Sequence, residues 1–312
     1  MRARQAGRGR AVRVAIVGAL LLDVLVLGVD SYLLATHSKT TTVDLEEALK
    51  SFHADEGQGS TTPTAAPDTT GATVATDQVD PALTSTTAGG RSPATTANAP
   101  TSPAAGPFTP PAPGVYAYRT AGRETASLLD AHHDYPAETY AVVRRTGGCG
   151  WTVHAEVVKE HVDDKEMCSA PGRLTLGSVS RLVQFFGVTD GGRFICDPPL
   201  TQHDTTEAAG ATDATDCREA DGRAGVHLVR TTLAPGHLTI GGVAVDVVRF
   251  RLDGTLSGVA SGTSSELYSV DAATGLPVLL ERHIDARSAA FGVDVIYRED
   301  VRFDLVSLTP TT

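Results

Sequence analysis

Apolar and polar positions alternate over most of residues 114–312, and turn residues interrupt the alternation at regular intervals. A period of two broken in this way predicts short antiparallel strands. The clearest case is residues 139–168, read as TYAVVRRT, GG, CGWTVHAEVV, KE and HVDDKEMC. Gly147-Gly148 between two alternating runs predicts a β-hairpin with a two-residue turn. That turn would set Cys149 against Thr146, Trp151 against Arg144, Val153 against Val142 and Ala155 against Tyr140, with the apolar members on one face. Further turn signals follow at Pro171-Gly172, Pro235-Gly236, Gly241-Gly242, Asp253-Gly254 and Asp271-Ala-Ala-Thr-Gly275. Residues 114–312 therefore read as an all-β domain, mainly an antiparallel meander, either an open half-barrel or barrel-like. Residues 178–186 (SVSRLVQFF) fit a helix through Val179, Leu182, Val183 and Phe186 and alternate as a strand too, so both remain open.

The pattern changes towards the amino terminus. Residues 1–13 form a basic tail with Arg2, Arg4, Arg8, Arg10 and Arg13, followed by an apolar run over 14–34. As a helix this run would span about 31 Å, close to the roughly 30 Å hydrocarbon core of a bilayer. Asp23 near its middle costs about 2.5–3.5 kcal/mol, which the Val, Leu and Ile residues around it offset at about 0.3–0.6 each. The run reads as an uncleaved signal anchor with the amino terminus cytoplasmic and the bulk of the chain extracytoplasmic; a cleaved signal peptide is the alternative. In residues 35–53, Asp44 can cap a short amphipathic helix, answered by Glu47, with Val43 and Ala48 as a hydrophobic staple. Its stripe of Leu45, Ala48, Leu49 and Phe52 suits docking on a partner or bilayer surface, or a helical extension of a stalk. Residues 54–113 collapse to Thr, Ala, Pro, Gly and Ser and read as a disordered linker.

Composition narrows the classes further. The net charge is −11; five of the 26 cations precede the span and two of the 37 acids lie in it, so the exported part carries −14. Such an acidic domain argues against nucleic acid as a partner. All four cysteines lie between Cys149 and Cys217 without CxxC spacing, which after an export signal reads as disulfides in an oxidising compartment. Cys196–Cys217 would pin a polar loop over 197–216, leaving Cys149 with Cys168. Direct opposition of those two would put Asp164 and Glu166 on the Trp151 face, so the register there is open by one residue.

The order of anchor, low-complexity tether and CGW-containing β-domain resembles that of single-pass membrane proteins of actinobacteria. The segment Asp271-Ala-Ala-Thr-Gly-Leu-Pro277 resembles the TGLP hairpin of the LolA/LppX/RseB-like group. That resemblance covers roughly the last third of the chain and implies an extracytoplasmic half-barrel of antiparallel strands wrapping helices, which binds lipid, lipidated or signalling partners. No binding residue carries over from it.

Catalytic and metal chemistry find little footing. His132-His133-Asp134 with His154 and His161 could begin a metal site, but without HExxH-like spacing they read as solvated loop histidines. Ser178 and Ser180 lack a GxSxG elbow. Glu156 and Glu160 read as polar positions of a half-exposed strand. Trp151 beside Arg144 reads as a buried aromatic under a snorkelling arginine, with a cation–π lid as the alternative. Asp23 is a candidate intramembrane polar site. No cofactor, metal site or catalytic residue is assigned. The sequence thus points to a membrane-anchored, non-enzymatic extracytoplasmic binding protein for a hydrophobic ligand, lipoprotein or cell-envelope component. The alternative is a regulatory or assembly subunit docking on a membrane partner. A large apolar cavity within the strands favours the first, and a closed core with an exposed apolar patch the second.

Overall fold

The computed structural model describes residues 40–56, 108–127, 131–185, 188–290 and 293–312. The basic tail, the apolar run over 14–34 with Asp23, and most of the expected linker lie outside the described residues. Among the described residues no helix is long and apolar enough to cross a membrane.

Among the described residues one helix, α1 (Leu45–Glu56), precedes thirteen strands. These are β1 (Gly114–Ala126), β2 (Ala131–Asp134), β3 (Glu138–Gly147), β4 (Gly150–Val158), β5 (His161–Ala170) and β6 (Arg173–Phe185). They continue with β7 (Val188–Asp204), β8 (Thr212–Glu219), β9 (Ala224–Ile240), β10 (Val243–Gly258), β11 (Ala260–Asp271), β12 (Pro277–Ala290) and β13 (Val293–Leu305). From β3 to β13 each strand pairs antiparallel with the next, β1 pairs β3, and β1 also pairs β13 from Tyr118↔Leu305 to Ala126↔Tyr297. The sheet is therefore a closed barrel of twelve strands, with β2 added beside the second half of β1. Of the open and closed forms the sequence allowed, the chain takes the closed one. The half-barrel around helices implied by the TGLP resemblance is not found, because β13 returns to β1 and α1 lies outside the wall. Gly122 sits at the seam with φ +141, where a Cβ would lie 2.1 Å from the Asp300 carbonyl oxygen. Only a residue without a side chain lets β1 bend this close to β13.

The outer face is polar. Arg298 pairs with Asp285 at 3.0 Å, His283 with Asp300 at 2.6 Å, Arg193 with Glu166 at 2.6 Å and His237 with Asp246 at 2.6 Å, all exposed. A barrel embedded in lipid carries its apolar band outward. Here most apolar residues of the described strands face inward, and the outer wall carries these charged pairs instead of an apolar band.

The hairpin of β3 and β4 forms one residue out of the expected register. Val143 opposes Val153, Arg145 opposes Trp151, and Gly147 pairs with Gly150 across Gly148-Cys149, with a bulge between Arg145 and Gly147. A one-residue slip exchanges the faces of a strand. Ala141 and Val143 thus join Trp151 inside, while Tyr140, Val142 and Arg144 face out. Arg144 Nη2 donates to the Ser51 carbonyl at 2.8 Å, so it is no lid on Trp151, whose Nε1 donates to Ser169 Oγ at 2.9 Å.

That outward face is where α1 docks. Asp44 Oδ1 accepts the Glu47 N–H at 2.9 Å, as the cap pattern predicts, and Val43 is buried. Ala48 and Phe52 bury against Val115 and Val142, and Lys159 pairs with Glu47 at 2.7 Å. Ala48, Leu49 and Phe52 of the amphipathic stripe are thus covered by the chain's own barrel, while Leu45 stays exposed. Both ends of the stretch read as linker are ordered: α1 runs to Glu56, and Phe108 is buried in the core.

Both disulfides form as expected, Cys149–Cys168 and Cys196–Cys217. On β5 the pairing is Gly150↔Cys168 and Trp151↔Met167, which turns Asp164 and Glu166 outward and brings Asp163 and Lys165 inside. Cys196 directly opposes Cys217. The expected loop over 197–216 is mostly strand, with the turn confined to residues 205–211. The β7–β8 ladder still ends at Cys196, because Pro198 and Pro199 have no N–H to donate. Residues 178–185 are strand: β6 keeps its alternation past a shift at Gly177, which places Val179, Arg181, Val183 and Phe185 inward.

Candidate functional site: a charged layer beneath an apolar chamber

An eight-stranded barrel is just filled by its own side chains. Twelve strands enclose more, and this chain fills the space unevenly. The end carrying the β3–β4, β5–β6 and β11–β12 turns, here the lower end, is packed solid. Trp151, Tyr116, Leu174, Leu200, Leu276, Leu305 and Phe108 are all at most 2% exposed. The Asp271–Pro277 turn folds across this end. Gly275 N–H reaches the Asp271 carbonyl at 2.8 Å, Thr274 Oγ1 donates to Asp271 Oδ2 at 2.6 Å, and the Ala273 carbonyl accepts Thr109 N–H at 2.9 Å. The TGLP-like segment is therefore a plug.

Above the plug lies a layer of charge. Arg282 on β12, 1% exposed, pairs with Asp163 at 2.7 Å, Glu266 at 3.1 Å and Glu299 at 3.2 Å. Arg181 on β6 reaches Asp163 at 2.8 Å and Glu266 at 3.5 Å. Lys165 on β5 donates to Tyr268 Oη, stands 3.7 Å from Glu266, and lies 4.8 Å above the Tyr268 ring. Towards β1 and β2 the layer continues through Glu124, which accepts His133 Nδ1 at 2.6 Å, His161 Nδ1 at 2.7 Å and Tyr297 Oη at 2.6 Å. His161 Nε2 faces Asp163 at 3.3 Å, and Tyr135 Oη donates to Glu299 at 3.0 Å.

Burial alone would push these carboxyls up, since a low-dielectric interior disfavours charge. The opposing contacts win. Hydrogen bonds from His133, His161 and Tyr297 hold Glu124 at about 2. Lys165, Arg282 and Arg181 hold Glu266 at about 2. The two arginines and His161 hold Asp163 well below the carboxylate range. Burial likewise works against the His161 imidazolium, yet Asp163 and Glu124 raise it to about 10. Four carboxylates (Glu124, Asp163, Glu266, Glu299) are thus matched by Arg181, Arg282, Lys165 and protonated His161. Buried ions persist only when matched and hydrogen-bonded in this way.

Above the charged layer the barrel is hollow. A cavity of ≈ 350 Å³ is walled by Val179, Phe194, Leu228, Leu252, Ile284 and Val295, and its floor is Lys165, Arg181 and Glu266 with Tyr268 and Tyr297. This is within the roughly 300–1,000 Å³ of small-molecule sites, which are mostly apolar with a few converging polar groups.

The histidines singled out in the sequence separate. His132 is exposed and His154 bonds Asp164 on the outer face at 2.6 Å, whereas His133 and His161 are buried inside. The reading of all four as solvated loop residues fails for the last two, because the bridge to Glu124 draws them inward. Among the described residues no cluster of His, Cys, Asp and Glu is arranged to hold a metal. Ser178 accepts from Arg193 at 3.4 Å, Glu160 accepts the Thr41 N–H at 3.0 Å, and Glu156 contacts His154 at 3.5 Å, so none of them enters the chamber. The floor residues were missed in the sequence, although each of two arginines interrupts an inward apolar row: Val179-x-Arg181-x-Val183 and Leu280-x-Arg282-x-Ile284.

Comparison with protein families and with curated proteins returns no match for this chain. Among solved structures, a candidate lipoprotein of Parabacteroides distasonis ATCC 8503 aligns at 9% identity over 65% of this chain and 98% of its own, with a TM-score of 0.29. A candidate exported protein with YmcC-like fold from Bacteroides fragilis NCTC 9343 aligns at 10% identity over 64% of this chain and 97% of its own, also with a TM-score of 0.29. The chamber and its charged floor, rather than these alignments, bear on what the chain does.

Proposed function

We propose that the chain is an extracytoplasmic binding protein, held at the cell membrane by residues 14–34, whose barrel takes up an amphipathic small molecule. The observation that carries this reading is the division of the barrel interior. One end is plugged, the middle is a matched ionic layer, and the other end is an apolar chamber of ≈ 350 Å³. A barrel needing only stability would bury side chains throughout, since empty space forfeits packing energy. The two disulfides fit an oxidising compartment. The alternative of a subunit docking through α1 is disfavoured, because that helix already buries Ala48 and Phe52 on its own barrel.

The test is saturable binding of a polarity-sensitive aliphatic fluorophore to the full chain, compared with Leu228→Trp and Leu182→Trp. Leu228 lines the chamber and Leu182 is 39% exposed on the outer wall. Filling the chamber is expected to weaken binding at least about tenfold, and the outer change to leave it alone; tenfold corresponds to about 1.4 kcal/mol. Absence of saturable binding to the parent chain, or equal loss in both variants, would overturn the reading.

A further inference from the structure

Resting on that binding role, we propose that the chamber selects aliphatic molecules ending in a carboxylate, whose oxygens sit on Lys165 Nζ and the Arg181 guanidinium. The chamber is lined by two cations, Lys165 and Arg181, and two anions: Glu266, and Asp190, whose oxygens already accept Gly191 N–H at 2.8 Å and Ser288 Oγ at 3.1 Å. Lys165 is the least compensated of them. Its single short partner is the neutral Tyr268 hydroxyl, and the nearest carboxylate oxygen, on Glu266, is 3.7 Å away. An ammonium has three donors, so N–H capacity remains at the chamber floor. Arg181 commits Nε to Asp163 at 2.8 Å and Nη2 to Glu266 at 3.5 Å, while Nη1 lies 3.9 Å from Glu299, beyond hydrogen-bond reach. Burial, with Arg282 and Arg181 nearby, pushes the Lys165 ammonium down despite Glu266. An arriving carboxylate would relieve that deficit through charge-assisted bonds. A cationic head would meet Lys165 and Arg181 first and be repelled. A hydroxyl would gain hydrogen bonds but no charge compensation. The apolar walls above, from Val179 to Ile284, would take the hydrocarbon.

The experiment uses the full chain in lipid nanodiscs, with empty nanodiscs as reference, and octanoic acid, octanol and octylamine as probes. The acid is expected to bind at least about tenfold more tightly than the alcohol, and the amine more weakly than both. In Lys165→Met the acid should lose most of that advantage, falling to within a few-fold of octanol, which loses a hydrogen bond but no charge compensation. A second readout needs no variant: the carbon-13 signal of carboxyl-labelled octanoic acid, when bound, should keep its ionised position to lower pH than when free. Equal affinity for acid and alcohol, preference for the amine, or a bound carboxyl that titrates at or above its free value would overturn the carboxylate inference while leaving the binding role intact. Failure of all three probes to bind would instead count against the binding role itself.

Discussion

Replacing Arg282 with Met is expected to destabilise the barrel by about 3–5 kcal/mol, the largest effect of any single change in the ionic layer. The side chain is 1% exposed and touches Asp163, Glu266 and Glu299, each within 3.2 Å. Met fills a similar volume, so little of the loss would come from a cavity. What remains is three carboxylates facing Arg181 and Lys165, with one cation too few in a dry interior. Breaking a buried pair from one side costs this much because the surviving charge has no partner and no water. For a domain of about 200 residues this corresponds to a Tm lowered by on the order of 10 °C. The control is Arg302→Met on the outer wall, where Asp304 lies at 2.8 Å and both side chains are well exposed. Exposed pairs contribute about 0–1 kcal/mol. Thermal or urea unfolding of both variants reads the contrast, and similar losses for both would show that the inner layer is not held as described.

The second large effect is on pH dependence, with losses of stability on both sides of a plateau. Glu124 and Glu266 sit at about 2 in the folded chain against an ordinary value of 4.5. A depressed carboxyl contributes stability that is fully present above its unfolded value and is lost as pH falls through the folded one. Their contribution therefore fades between about 4.5 and about 2. His161 runs the other way, raised to about 10 from 6.5. Its contribution is complete below 6.5 and is lost as pH rises from there towards 10. Unfolding free energy should be highest between about pH 4.5 and 6.5 and fall by a few kcal/mol towards either extreme. In His161→Gln the alkaline fall should largely vanish, at the cost of a lower plateau. An unchanged alkaline limb in that variant would mean that His161 is not the cation matching Glu124 and Asp163.

These effects arise from residues whose role the sequence shows only in part. Both disulfides and the turns at Pro171-Gly172, Gly241-Gly242 and Asp271–Gly275 are legible, because alternation and Gly-rich turns act locally. By contrast, Pro235-Gly236 lies inside β9 and Asp253-Gly254 inside β10, so those two signals do not turn the chain. The register of β3 on β4 is not legible. Gly147, Gly148 and Gly150 can each take turn geometry, and the chain places the turn at Gly148-Cys149 with a bulge, which flips Arg144 from the Trp151 side to α1. On β5 the two faces read His161, Asp163, Lys165, Met167 and Val162, Asp164, Glu166, Cys168. Both are polar, so no apolar periodicity tells which is inside; the neighbouring strands decide. The ionic layer joins β1, β5, β6, β11, β12 and β13, spread over more than 170 positions of the chain. Only closure of the barrel brings them to one level. The same holds for the docking of α1, whose capping signals fixed its start but whose partners Val115 and Val142 lie on the far side of the linker.

The division of the barrel interior into plug, ionic layer and ligand chamber is tested most directly by seating a heavy atom in it. Crystals of the chain grown with an aliphatic acid brominated at its tail should show one anomalous peak inside the barrel, among Val179, Leu228, Ile284 and Val295, above Lys165. An anomalous peak on the outer wall alone, or an empty chamber at saturating ligand, would contradict the account.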